Sequence, residues 1–345
     1  MGNIILIFTI IALCAVIGMF ITSMIKRVKG DKFKSTGDIL YKILGVVLIC
    51  YVISMISVLV WGLLTTFKDN TMDYNKDNKV GWPKQFIFTN FKTVFANMEV
   101  MVSVPGVGTE YVGALRLFFN SALYAVGNAL VRVAVLFIVA YAAARFKFFV
   151  GKLIYGIVIV GMILPIVGAQ PTMVKVAMQL HLHDTFIGMF IQKANFMGMH
   201  FLIMHATLAA FPKDFDEAAQ IDGAGNLSVM FRIMLPLSMT TISTLLLLNF
   251  ITEWNDYATP LLFMPTNPTL AYALRRFEDN RVYKYLLNPD GSYVLDKIGD
   301  PTKARISDTP TKLAACFVAA IPTLTLFLIF HNKLLNNLSI GGVKE

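Results

Sequence analysis

Six residues place ionisable or hydrogen-bonding groups inside long apolar runs, where such groups are costly. Glu253 and Asp256 flank Trp254 and Asn255 in the stretch FITEWNDYATPLLF, residues 250–263. Asn128 and Arg132 lie four residues apart in another run, on one face of a helix. Ionisable groups within a bilayer rarely face lipid, and by default they mark a pathway or a gate. Arg132 needs an acceptor, and either Glu253 or a carboxylate of a partner chain would serve. The plainer alternative puts Glu253 and Asp256 at the outer end of a helix, where charge costs little.

The segment DFDEAAQIDGAG, residues 214–225, has a different chemistry. It holds four carboxylates, Asp214, Asp216, Glu217 and Asp222, ahead of two glycines. Their spacing suits the start of a helix. Asp214 is placed to be the N-cap, with Glu217 as the reciprocal member of a capping box. Asp216 and Glu217 fall in the first turn, where negative charge complements the helix dipole. Ala218, Ala219, Gln220 and Ile221 continue the helix, and Gly223 ends it in a conformation that a side chain resists. Asn226 is then placed to cap a second helix running through Leu227 and Phe231 to Leu235, and Pro236 bends the chain after it. This predicts a helix, a glycine turn and a second helix, with Ala218, Ala219, Ile221 and Ala224 offering a small apolar surface.

Other candidates carry little. His181 and His183 are two residues apart, and no Cys or acid cluster completes a zinc site around them. Cys14, Cys50 and Cys316 sit in apolar runs without a CxxC partner and read as small buried hydrophobes. No nucleophile–base pair or metal constellation supports an enzyme. No GxxxxGK[ST] motif occurs, so this chain does not bind ATP in that manner. The net charge is +9, but no basic domain with interleaved aromatics points to nucleic acid.

The elements that must position these residues are membrane spans. The 345-residue chain is 56% hydrophobic and 15% charged, against about 25% charge for an ordinary soluble domain. Apolar runs near 20 residues predict spans at about 3–25, 41–67, 118–144, 152–174, 185–210, 235–263 and 312–331, an all-α polytopic membrane protein. Residues 3–25 lack the basic start and the cleavage site of a signal peptide and read as a retained span. The basic loops 26–42 and 145–152 belong to the cytoplasm, which puts the N-terminus outside and both the 211–234 loop and the C-terminus inside. Pro165 and Pro171 in one span predict a kink. The two outer loops, 68–117 and 264–311, are long enough to dock an external partner or to form a solvated cap, and TNPT at 266–269 and DGSY at 290–293 are turn signals.

EAAQIDGAG, followed by LPLS at 235–238, resembles the EAA loop of ABC-importer permeases in residue types, spacing and sidedness. The stretch LPIVGAQPTMVKVAMQLHLHDT, residues 164–185, is similar to a pattern of the carbohydrate-uptake group, with Asp184 in place of the usual Asn and His181 in place of a common Gly. FITEWNDYATPLLF and the tail LSIGGVKE, residues 338–345, are similar to segments of the same group, closest to the second permease subunit of maltose-type transporters. The resemblance covers roughly residues 41–345 and implies a six-helix core, with residues 1–40 as an extra N-terminal helix and basic linker. It implies that the 211–236 loop is a coupling helix docking on an ATPase, and that Glu217, Ala218, Ala219, Asp222 and Gly223 carry that contact. It also implies a second, homologous permease, a pair of ATPase subunits that hold ATP and Mg, and an extracytoplasmic solute-binding protein, in a bacterial cytoplasmic membrane. The cargo would be an oligosaccharide or related sugar, with Trp254 and Tyr257 as sugar-stacking rings or interfacial anchors. A permease for another solute, or a stand-alone secondary transporter with an inverted repeat and an ion relay, are the alternatives.

Overall fold

The computed structural model describes residues 35–76, 78–104, 106–146, 149–164, 168–278, 283–285, 303–305 and 308–340. The expected first span, Pro165, the 290–293 turn and the final residues of the tail lie outside these ranges. The chain divides into two compact units, one comprising Met1–Asn97 with Phe277–Val318 and the other Met98–Arg276 with Ala319–Glu345.

In the first unit, α1 (Ser35–Thr66) carries the second expected span. Val47, Leu48, Val52, Ile56 and Leu59 leave about half of their surface exposed, as suits a helix bathed in hydrocarbon. The chain that follows is folded. It forms a π turn (Asn70–Tyr74) and α2 (Thr89–Asn97). The buried Asn90 amide donates to the carbonyls of Thr66 at 2.7 Å and Lys68 at 2.9 Å, which supplies partners that the end of α1 lacks. Lys68 is buried and donates to the Asn78 carbonyl at 2.7 Å. Burial lowers the Lys68 pKa below its ordinary value, and the Asp73 carboxylate opposes that shift.

The second unit opens with an antiparallel hairpin, β1 (Val100–Val104) and β2 (Gly108–Val112), in register Val100 to Val112. It continues with α3 (Ala114–Arg145), α4 (Phe149–Ile163), α5 (Gln170–Gln179), α6 (Phe186–Lys193) and α7 (Met199–Ala210). Next come α8 (Asp214–Ile221), α9 (Asn226–Val229), a π turn (Met230–Met234), α10 (Leu235–Leu237), α11 (Met239–Trp254) and α12 (Ala258–Phe263). The chain then enters α13 (Leu270–Glu278); the second hairpin, β3 (Tyr283–Tyr285) and β4 (Lys303–Arg305), belongs to the first unit, and α14 (Thr309–Ile340) starts there and ends in the second. Helix α3 packs chiefly against α11 and α7. Its residues Val133, Leu136, Phe137 and Ala140 meet Phe201, Met204 and Leu208 of α7, a stripe at helical spacing, and Ile242 and Leu245 of α11.

The described residues are mostly helical, as expected, and each long loop adds a two-stranded hairpin. They do not show the expected spans as so many single helices. Among the described residues three helices are long and apolar enough to cross a membrane: Leu44–Thr66, Ala114–Arg145 and Thr309–Phe330. A fourth is counted if Asn226–Leu237 and Met239–Trp254, bent by 75°, are taken together. The run at 152–174 breaks after Ile163, and Pro171 starts α5, where its missing N–H costs nothing. The run at 185–210 breaks between α6 and α7, with Gly198 at φ 119°. The run at 235–263 breaks at Ser238 and again after Trp254. Apolar composition does not register such breaks, which are tolerated where protein rather than lipid surrounds the backbone.

Candidate functional site

Helix α8 starts differently from the capping box expected at Asp214. Lys213 is the N-cap residue, sits in the helical region itself and makes no side-chain cap. Its carbonyl accepts from the amides of Asp216 at 2.9 Å and Glu217 at 3.1 Å. Asp214 therefore lies within the first turn rather than capping it, and it joins Asp216 and Glu217 where negative charge complements the dipole. The far end follows expectation. Gly223 has φ +81°, its amide donates to Gln220 at 3.0 Å, and the Ala224 amide donates to Ala219 at 2.9 Å, a Schellman turn. Gly225, not Asn226, precedes α9 as its cap.

The apolar surface expected on this loop is split in two. Ala219 is 6% exposed and packs with Ala224 against the core between α3, α7 and α11. Ala218, Phe215 and Ile221 face away, and Ile221 is 86% exposed. Leu227 and Phe231 extend this exposed apolar patch, and Glu217 and Asp222 are also exposed. The projection is thus anchored by one alanine and topped by exposed aliphatic and aromatic groups, and exposed apolar patches of this kind mark contact surfaces.

Arg145, the last residue of α3, was legible in the sequence only as a positive loop charge. Its side chain is 3% exposed and lies 2.6 Å from Asp216 Oδ2 of α8. It also donates to the carbonyls of Leu208, Phe211 and Pro212 at 3.3, 2.8 and 3.1 Å.

The intramembrane residues gather farther along α3. Arg132 Nη1 lies 3.8 Å from Glu253 Oε1, so the acceptor open in the sequence is within this chain. Lys193, at the end of α6, joins them. Its Nζ is 2.9 Å from both Glu253 Oε2 and Asp256 Oδ2. Tyr124, two turns before Arg132, donates its hydroxyl to Asp256 Oδ2 at 3.1 Å. Glu253 is 1% exposed, so it is not the solvated end of a helix. Asn128, on the same face of α3, is fully buried with neither amide atom hydrogen-bonded. The sequence did single out four members of this layer. It missed Tyr124 and Lys193, although a lone Lys in the apolar stretch FIGMFIQKANF was a readable signal.

Trp254 and Asn255 do not join the layer. Trp254 is 4% exposed, packs between Phe118 and Phe250, and donates its indole N–H to the Ala319 carbonyl at 2.9 Å. That corrects its reading as an interfacial anchor or sugar platform. Asn255 is exposed and donates back to Ile251 of its own helix. His183 contacts the Leu262 carbonyl at 3.1 Å, and Asp184, at φ 62°, accepts from the amide and hydroxyl of Thr266 at 3.1 and 2.6 Å. They tie the segment before α6 to the last turn of α12 and to the turn after it.

Comparison with known proteins agrees with this architecture. The chain is 28% identical over 153 residues to the osmoprotective compounds uptake permease protein GgtD of Synechocystis, covering 44% of this chain and about half (51%) of that relative. It is 32% identical over 203 residues to the sn-glycerol-3-phosphate transport system permease protein UgpE of Brucella abortus, covering 57% of this chain and 68% of that one. A crystal structure of a bacterial ABC transporter involved in the import of the acidic polysaccharide alginate shares the fold. Its TM-score is 0.66 at 17% identity, covering 88% of this chain and 99% of that one. The model of the binding-protein-dependent transport system inner membrane component matches residues 136–336, more than half of the chain, from the middle of α3 through α14. This chain therefore belongs to that family, as a multi-pass inner-membrane permease component of an ABC importer.

Proposed function

We propose that this chain forms one half of a translocation path for an oligosaccharide or related sugar, driven by alternating access. A homologous second permease completes the path. A pair of ATPase subunits, which bind ATP and Mg, docks on α8 from the cytoplasm, and an extracytoplasmic solute-binding protein delivers cargo. In this orientation the 211–236 loop and the C-terminus are cytoplasmic. The observation that carries the reading is α8 itself: Ala219 is sunk in the core while Phe215, Ala218 and Ile221 are bare. Glu217, Ala218, Asp222 and Gly223 shape the docking face, and Ala219 holds it in place. Glu253, Asp256, Asn128 and Arg132, with Lys193, form a charged layer that gates the path.

The test is Gly223→Val. At φ +81° a β-branched residue is strained by about 1–3 kcal/mol, although an added Cβ meets no atom within 4 Å. The helix end should shift, and ATP-coupled uptake should fall while the ATPase still co-purifies. Intact uptake in this variant overturns the coupling role. Cargo class is read separately, by titrating the solute-binding protein with neutral oligosaccharides, sugar phosphates and uronic-acid oligomers. Binding of amino acids or peptides in place of all three refutes the sugar assignment.

A further inference from the structure

We infer that Arg145 is the positioning residue through which a displacement of α8 reaches α3 and, along it, the charged layer. The inference rests on the reading that α8 meets an ATPase. A guanidinium has five N–H donors in a fixed fork, and this one makes four hydrogen bonds and a close ion pair. Nε donates to Asp216 Oδ2 at 2.7 Å, and Nη2 approaches the same oxygen at 2.6 Å. Nη1 serves the carbonyls of Leu208 and Phe211, and Nη2 that of Pro212. These acceptors come from three places: the last turn of α7, the two residues after it, and the first turn of α8. A single buried side chain thus binds the end of α7, the linker and α8 to the last residue of α3.

The path beyond Arg145 is stiff. Helix α3 runs unbroken for 32 residues and carries Tyr124, Asn128 and Arg132 on one face. From Arg145 to Arg132 is thirteen residues of helix, roughly 20 Å at 1.5 Å per residue. The covalent route from α8 to Glu253 is compliant by comparison. It passes a glycine turn, a π turn and a 75° bend before entering α11. A push on α8 therefore moves Arg132 more directly than it moves Glu253. The two sit on opposite sides of a 3.8 Å ion pair, so relative motion of α3 and α11 acts on that contact.

A purely structural cap would affect how much complex forms, not how far ATP moves α3. The test uses the full transporter purified with its ATPase, in a cysteine-free background with Val131→Cys, a half-buried position beside Arg132. The readout is the rate of N-ethylmaleimide labelling with and without ATP and vanadate. The parent should show a clear ATP-dependent change. Arg145→Gln should shrink that change about threefold or more while ATP hydrolysis continues, and Arg145→Lys should not restore it, because an ammonium cannot span all four acceptors. Asp216→Asn keeps the three carbonyl contacts and should give a smaller loss. It decides the question if the Arg145 variants fail to assemble. A full ATP-dependent change in assembled Arg145→Gln and Asp216→Asn complexes overturns the inference alone. No ATP-dependent change in the parent, or no ATPase bound to it, overturns the coupling reading and the inference with it.

Discussion

Replacing Lys193 with Met removes the cation closest to two carboxylates. At 2.9 Å and an effective dielectric near 20, each contact has a gross Coulomb energy of about 6 kcal/mol. Most of that is offset, since Lys193 no longer has to be desolvated and its side chain is 20% exposed. Glu253 keeps Arg132 at 3.8 Å, and Asp256 keeps the Tyr124 hydroxyl and the Thr259 amide at 3.0 Å. The expected net loss is about 3 kcal/mol, the lower end for breaking a buried pair. It would be read as a fall of roughly 5 °C or more in the unfolding midpoint of the purified complex. Adding Glu253→Gln to Lys193→Met should recover about 1–2 kcal/mol, because the most buried charge is then gone. Arg116→Ala is the control. Its pair with Glu110 is shorter, at 2.6 Å, but both side chains are nearly half exposed, so the loss should stay below about 1 kcal/mol. An unchanged midpoint for Lys193→Met, or strict additivity with Glu253→Gln, would refute the claim that this layer is energetically coupled.

Asp184→Ala removes an acceptor bonded to both the amide and the hydroxyl of Thr266, and should cost about 1.5–3 kcal/mol in thermal stability. Asp184→Asn keeps an acceptor and tolerates the positive φ, so it should stay close to the parent. Asn90→Ala leaves the Thr66 and Lys68 carbonyls without their buried donor and should lower the midpoint by a similar amount. Ala219→Leu overpacks the core and should destabilise by about 1–3 kcal/mol. The exposed Ala218→Leu should leave stability unchanged and instead reduce ATPase co-purification; equal melting losses for the two alanine variants would show that the faces of α8 are misassigned.

The sequence was most informative where one residue type dictates one conformation. Gly223 is the plainest instance, since its left-handed backbone ends α8 where the glycine predicted. Capping was less legible, because Asp, Asn and Gly are all good caps and the backbone chose Lys213 and Gly225. Hydropathy located the apolar runs but not their breaks, since residues 194–198 and Ser238 interrupt the helices without interrupting apolarity. The charged layer was legible on α3 and α11, where each polar residue stood out against its run. The missing partners escaped for different reasons: Lys193 was passed over inside its apolar run, and Arg145 sits at the end of one, where charge usually means solvent. Burial, which the sequence does not print, is what separates them from loop lysines and arginines.

The breaks in the apolar runs also constrain how this protein enters a membrane. Helix α4 has 15 residues and α7 has 12, while a bilayer crossing takes about 20. At 1.5 Å per residue they are about 22 and 18 Å long, short of a hydrocarbon core near 30 Å. Neither is a strong insertion signal by itself. Helix α3, at 32 residues, is one, and it precedes both in the chain. It offers α4 and α7 an already embedded protein wall, with Val133, Leu136, Phe137 and Ala140 waiting for Val158, Phe201, Met204 and Leu208. Insertion of the second unit thus has a built-in order: α3 first, as the template, with its short neighbours following by packing rather than by their own affinity for lipid.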